Sequence, residues 1–97
     1  MRKRRRKMIY FIQGERTRLI KIGYTTNVKK RIKGLITQNS EKLIFLKAVS
    51  GDLKTEQLIH QKFKSFNCHN EWFYPMFTLV NFIKLINTKE DMEELLK

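Results

Sequence analysis

The sequence predicts an α/β fold of the α+β kind, a small antiparallel three-stranded sheet flanked by about three helices. Three observations lead there. Residues 8–13 and 18–24 are β-branched or aromatic runs separated by the turn-like Gly14-Glu15-Arg16-Thr17. Residues 28–36 carry apolar side chains at helical spacing, and a third extended run at 42–49 is followed by a second helical pattern. Strand, strand, helix, strand, helix is the resulting order.

The hairpin comes first. If Gln13 faces Arg18 across the loop, partner numbers sum to 31, so Ile9 meets Ile22 and Phe11 meets Ile20 on an apolar face. Side chains alternate along a strand, so the other face carries Tyr10 opposite Lys21, with Cβ atoms roughly 4.5–5.5 Å apart. A phenol beside an ammonium is a proton-transfer pair. At 4 Å and an effective dielectric of 20 their attraction is about 4 kcal/mol before solvent screening, and Lys21 is expected to favour the Tyr10 phenolate.

Thr25-Thr26-Asn27 supplies capping residues for a first helix with the stripe Val28, Ile32, Leu35 and Ile36, leaving Lys29, Lys30 and Lys33 outward. Gly34 weakens this helix, and Asn39-Ser40 leads to the third strand. After Ser50-Gly51, Asp52 is placed to cap a second helix over 53–66. Residues 67–70 form a loop before the aromatic run Trp72-Phe73-Tyr74, a short extended segment closed by Pro75. A third helix spans about 78–86, and 88–97 is either one capped turn or an acidic tail.

The chain divides into a basic arm (1–7), one folded domain (8–87) and an acidic tail (88–97). A second core would leave each half too small to be stable. With 41% hydrophobic and 31% charged residues the composition is globular, not disordered. Cys68 has no intrachain partner, which argues against a disulfide scaffold and fits a reducing compartment. No apolar run approaches the ~20 residues of a membrane span, and the arm lacks a signal peptide's apolar stretch. An intracellular location, cytoplasmic or nuclear, is expected.

The net charge is +12. Of 21 basic and nine acidic residues, four acidic (Glu90, Asp91, Glu93, Glu94) and two basic (Lys89, Lys97) follow residue 88, leaving 19 against 5 before it. A polyanion is the expected partner. Arg2, Lys3, Arg4, Arg5, Arg6 and Lys7, with Lys29, Lys30 and Lys33, are the candidate nucleic-acid contacts. The arm can also be read as a solvated terminus or a localisation tag.

Two further residues stand out. On a helical wheel Glu56 lies ~20° from Phe63 and ~60° from Ile59, so a carboxylate sits on the core-facing side. Burial there calls for a neutralising cation, a position at a cleft rim, or protonation. His60 follows at i+4 and can share a ligand with Glu56, although the two also suit an ordinary helix-surface pair. Arg31 lies ~40° from Leu35, where a guanidinium can reach over the sheet or cover apolar surface.

In this order the residues resemble the GIY-YIG nuclease superfamily. Met8-Ile9-Tyr10 and Lys21-Ile22-Gly23 occupy the places of its two name-giving tripeptides, with ten residues between Tyr10 and Lys21. The stretch Ile20 to Ile32, then Glu56-Gln-Leu-Ile-His-Gln-Lys-Phe63 and Glu71-Trp-Phe, is similar to the small viral, phage and bacterial branch in which KIG replaces YIG. The resemblance covers about residues 8–86 and implies a metal-dependent DNA endonuclease, nicking or structure-directed. It implies that Tyr10 is the first-motif tyrosine, Arg31 the first-helix arginine and Glu56 the ligand of Mg²⁺ or Mn²⁺.

Three positions depart from the pattern. Lys21 replaces a tyrosine, Leu35 stands where many members have a histidine, and Asn70 replaces a glycine before Glu71. Asn tolerates the left-handed backbone that glycine would supply. His60 or His69 can stand in for the missing histidine. In the mechanism so expected, Tyr10 assisted by Lys21 or a metal-linked water deprotonates the attacking water, Arg31 stabilises charge on the phosphate, and His60 is counted with Tyr10, Lys21, Arg31 and Glu56 among the catalytic residues. Tyr24, Trp72 and Phe73 read better as packing residues than as chemistry, and Glu71 is open between an anchoring and a supporting role. DNA is the expected substrate, with RNA left open. Cutting both strands would require a homodimer, a partner protein or repeated nicking. A catalytically inactive nucleic-acid-binding module of the same fold is the main alternative, and a small interaction subunit regulated by its acidic tail is a third.

Overall fold

The hairpin closes one residue later on each strand than local turn chemistry suggests. Gly14 N–H donates to the Leu19 carbonyl at 3.0 Å and Arg18 N–H to the Gly14 carbonyl at 2.9 Å, with Arg18 in the left-handed region at φ 67°. Residues 15–18 are therefore the loop. Glu41, far along the chain, holds it: its carboxylate accepts from Arg16 N–H (2.8 Å), Thr17 N–H (3.0 Å) and the Thr17 hydroxyl (2.7 Å). These bonds keep the Glu41 carboxyl below its ordinary pKa.

A computed structural model describes residues 6–97. Arg2, Lys3, Arg4 and Arg5, four of the expected nucleic-acid contacts, lie outside the described residues. Arg6 and Lys7 are exposed. The strands are β1 (Met8–Gly14), β2 (Ile20–Thr25), β3 (Leu43–Ser50), β4 (Asn67–His69) and β5 (Trp72–Phe73). Helices α1 (Val28–Gln38), α2 (Leu53–Lys62), α3 (Phe77–Leu85) and α4 (Lys89–Leu95) complete the domain. The α+β class holds, but the sheet has five antiparallel strands in the order β3-β1-β2-β5-β4, not three. The two additional strands come from residues 67–73, which fold back on themselves and dock on β2.

The β1–β2 register corrects the expected one. Phe11 faces Ile22, Tyr10 faces Gly23, and Lys21 faces Ile12, not Tyr10. The displacement is two residues, so each side chain keeps its expected face. Ile9, Phe11, Ile20 and Ile22 enter the main core with Ile59 and Phe63 of the α2 segment, Leu79, Phe82 and Ile83 of α3, and Met92 of α4. Tyr10 and Ile12 project to the other face, where Leu35 of α1 is buried against them and Ile32, Leu43, Ala48 and Trp72 pack around.

The helix starts follow their caps. Asn27 accepts from Lys30 N–H at 3.2 Å and Asp52 from Thr55 N–H at 2.9 Å. Helix α1 touches the sheet along a narrow ridge, so Ile36, expected in the stripe, is exposed. Helix α2 ends at Lys62, short of the expected Phe66, because Phe66 N–H turns back to the Phe63 carbonyl in a 3₁₀ turn that stacks the two rings. The acidic end is the capped alternative: Thr88 and Asp91 form a capping box, and Met92 is fully buried. Gly51 makes room for this, since a Cβ there would stand 2.8 Å from Ile9 Cγ1 and 3.1 Å from Met92 Cε.

Met92→Ala should therefore cost about 2–5 kcal/mol of unfolding free energy in urea titrations. The exposed neighbour substitution Glu93→Ala should stay within about 0.5 kcal/mol. Equal small effects would show that α4 is not part of the core.

Candidate functional site

Gly23 makes the Tyr10 position. The phenol ring lies across Gly23 on the neighbouring strand, and any Cβ there would overlap it. The ring is buried, and its hydroxyl accepts from Arg31 Nε at 3.2 Å. Arg31 is exposed, yet it reaches over the sheet as its wheel position predicts. Burial raises the Tyr10 pKa above 10, Arg31 pulls it back, and the charges of Glu71 and Glu56 push it further up. The phenol is accordingly protonated near neutral pH.

Lys21 does not play the part expected of it. Its residue is only 6% exposed, and its ammonium is taken by Glu71 Oε1 at 2.5 Å while lying 5.9 Å from the Trp72 ring centroid. The register explains the change: Lys21 pairs with Trp72 on β5, next to Glu71, and is two residues from the Tyr10 partner.

Glu56, His60 and Glu71 come together. Each offers one ligand atom, and the three atoms lie within 4.8 Å of one another. The Asp52 cap sets Glu56 in the first turn of α2 and His60 one turn later. Glu71 follows the tight β4–β5 turn, in which Asn70 takes φ 49° as its side chain allows. Both elements are fixed to one residue of β2: Ile22 N–H donates to the Glu71 carbonyl at 3.0 Å, and His60 Nε2 lies 2.9 Å from the Ile22 carbonyl. That carbonyl can only accept, so Nε2 carries a proton and Nδ1 is the ring nitrogen through which a metal could be held. Phe73 holds the ring edge-on, with centroids 4.9 Å apart.

Glu56 is 7% exposed, and no hydrogen bond or ion pair among the described residues engages its carboxylate, which keeps slight solvent contact. Burial and then the nearby Glu71 raise its pKa, with His60 and Lys21 opposing. Two carboxylates and an imidazole are a donor set that could hold a divalent metal ion.

Two clefts are lined in part by site residues, one by Arg31 and the other by His60. One of about 350 Å³ lies between Thr25, Thr26, Asn27, Lys30, Arg31 and Gly34. Another of about 480 Å³ is lined by His60, Gln61, Lys64, Asn67, Asn70 and Phe73. Lys29, Lys30 and Lys33 are exposed on α1. His69, the other histidine considered, is exposed on β4 beside Cys68 and outside the metal-ligand group. Tyr24, Trp72 and Phe73 pack against the two cores. Sequence reasoning left Glu71 open; its only signal was the Glu71-Trp-Phe block. The Ile22 carbonyl had none.

The fold and these residues define a small α+β domain with a potential metal site beside a basic helix. The T5orf172 domain matches residues 7–93, and the chain belongs to that family. No curated protein and no solved structure gives a significant match. No helix among the described residues is long and apolar enough to cross a membrane.

The buried carboxylate has a measurable consequence. Because Glu56 binds its proton more tightly folded than unfolded, its contribution is fully present below its ordinary pKa of 4.5 and is lost as pH rises through the raised value. Without added metal, Glu56→Gln should raise the urea midpoint near neutral pH, and the gain should vanish at about pH 4. A midpoint lowered by Glu56→Gln at neutral pH would contradict this account.

Proposed function

We propose that this protein is a metal-dependent DNA endonuclease of the GIY-YIG type, acting as a nicking or structure-directed phosphodiester hydrolase. The observation that carries the reading is the buried Glu56 carboxylate, unpaired among the described residues, beside further metal donors and near enough to Tyr10 for its charge to act on the hydroxyl that Arg31 holds. A purely structural carboxylate would be expected to have a partner. Mg²⁺ or Mn²⁺ on Glu56 would supply Lewis-acid activation of phosphate and water.

The chain's own groups take the remaining tasks. Arg31 spends Nε on Tyr10, which leaves its two terminal NH₂ groups for phosphate oxygens. Tyr10 must lose its proton before it can accept one from water, and Arg31, not Lys21, is the cation that favours that loss. Lys29, Lys30 and Lys33, with Arg6 and Lys7, offer a sequence-independent surface for the phosphate backbone. A nucleic-acid-binding module without turnover is the second reading. It is favoured by the capture of Lys21 by Glu71 and by Leu35, buried in apolar contacts where many GIY-YIG proteins have a histidine.

Supercoiled plasmid should be nicked in Mg²⁺ or Mn²⁺, not in EDTA, and Glu56→Ala should abolish nicking. Tyr10→Phe should lose on the order of 10²–10⁴ in rate, together with the rise of the parent's rate with pH toward the raised Tyr10 pKa. Tight, salt-sensitive binding with no cleavage in either metal would replace the enzyme by the binding module.

A further inference from the structure

The charges around the potential metal site do not balance. Glu56 and Glu71 bring two carboxylates, Lys21 supplies one ammonium, already on Glu71, and His60 directs Nε2 to the Ile22 carbonyl. Glu56 is left more than nine-tenths buried, without a partner among the described residues, and with its ligand atom within 4.8 Å of those of the other two donors. The group is one cation short. Its third donor is an imidazole nitrogen, a ligand that suits first-row transition ions better than Mg²⁺, which favours oxygen ligands.

We propose that Glu56, His60 and Glu71 form one three-donor site for a divalent transition ion such as Mn²⁺, and that the Lys21 ammonium is a resident counter-cation with which the ion competes for Glu71. This rests on the metal-dependent reading above and deepens it, since that reading needs only Glu56. Lys21 cannot leave for solvent freely: its residue is 6% exposed and its ammonium lies near the Trp72 ring. It therefore stays close and weakens the incoming ion by like-charge repulsion and by occupying Glu71 Oε1. With the ion bound, the two carboxylates, Lys21 and the ion leave a net charge of one positive unit, which matches the single negative charge of a phosphodiester. The lysine that replaces the motif tyrosine thus makes the loaded site more receptive to phosphate and the empty site weaker in its hold on the ion.

The test is binding, read without turnover: Mn²⁺ titration of the full chain followed by electron paramagnetic resonance, with Mg²⁺ as competitor. The parent should prefer Mn²⁺ by roughly tenfold or more, in keeping with its imidazole donor. His60→Ala should weaken Mn²⁺ on the order of 10- to 100-fold and erase the preference, while Glu71→Gln should weaken both ions. Lys21→Met should strengthen Mn²⁺ binding by about tenfold, one pKa unit's worth of relieved competition. Circular dichroism reports whether each variant is folded, and Lys21→Gln answers the same question if Lys21→Met is not. Unchanged Mn²⁺ affinity in His60→Ala and Glu71→Gln would overturn the three-donor site. Weaker binding in folded Lys21→Met or Lys21→Gln would overturn the competition. Plasmid nicking by a parent that fails these tests would leave the endonuclease reading intact, and the binding pattern without nicking would do the reverse.

Discussion

The site hangs on two consecutive residues of β2. Ile22 sends its side chain into the main core and presents its peptide N–H and C=O to Glu71 and His60. Gly23 gives up its side chain so that the Tyr10 ring can lie across the backbone. Tyr10, His60 and Glu71 are each positioned from this dipeptide. A slip of one residue between β1 and β2 would turn Tyr10 into the core and Phe11 out of it, so burial of the apolar face enforces the geometry of the polar one. Glu41 makes that register definite by fixing the hairpin loop with three hydrogen bonds.

The two faces of the sheet carry opposite burdens. One is a dry core built from the hairpin, α2, α3 and α4, in which each fully buried large apolar side chain contributes about 1.5–3 kcal/mol. The other holds a buried phenol and a buried ammonium, while α2 itself carries the buried Glu56 carboxylate, which has no partner among the described residues. Taking a charge out of water costs several kcal/mol, so a few such apolar side chains offset one uncompensated carboxylate. Met92 and the capping box of α4 belong to this support, although α4 is distant in sequence from the groups it helps to hold.

What the amino-acid sequence disclosed follows the range of the interactions. Faces of β1 and β2, the caps Asn27 and Asp52, the burial of Glu56 and the left-handed turn at Asn70 are set by neighbours within a few residues, and each was legible. The hairpin register was not, because a left-handed Arg18 and a carboxylate more than 20 residues away decide it. Strands β4 and β5 were too short, at three and two residues, to show a period. The partner of Lys21 was misread for the same reason: β5 brings Glu71 to it, and nothing near Lys21 in the sequence announces β5.

Leu35 and Lys21 bear on the same group of polar side chains. Leu35 places an aliphatic side chain beside Tyr10 and Ile12, and with Ile32 and Trp72 it dries the surroundings of the phenol. Dry surroundings hold the Tyr10 proton, and the only side-chain hydrogen bond to its hydroxyl among the described residues comes from Arg31. Lys21, which pairs with Ile12 and not Tyr10, places its charge on Glu71. On the proposed reading, control of the phenol proton thus falls to an arginine that also faces solvent and can bind phosphate. Arrival of a phosphate on that arginine would weaken its hold on the phenolate, so substrate binding and proton release draw on one guanidinium. A lysine close to the carboxylates then has a clear value, because it adds attraction for the phosphate that Arg31 need not supply alone.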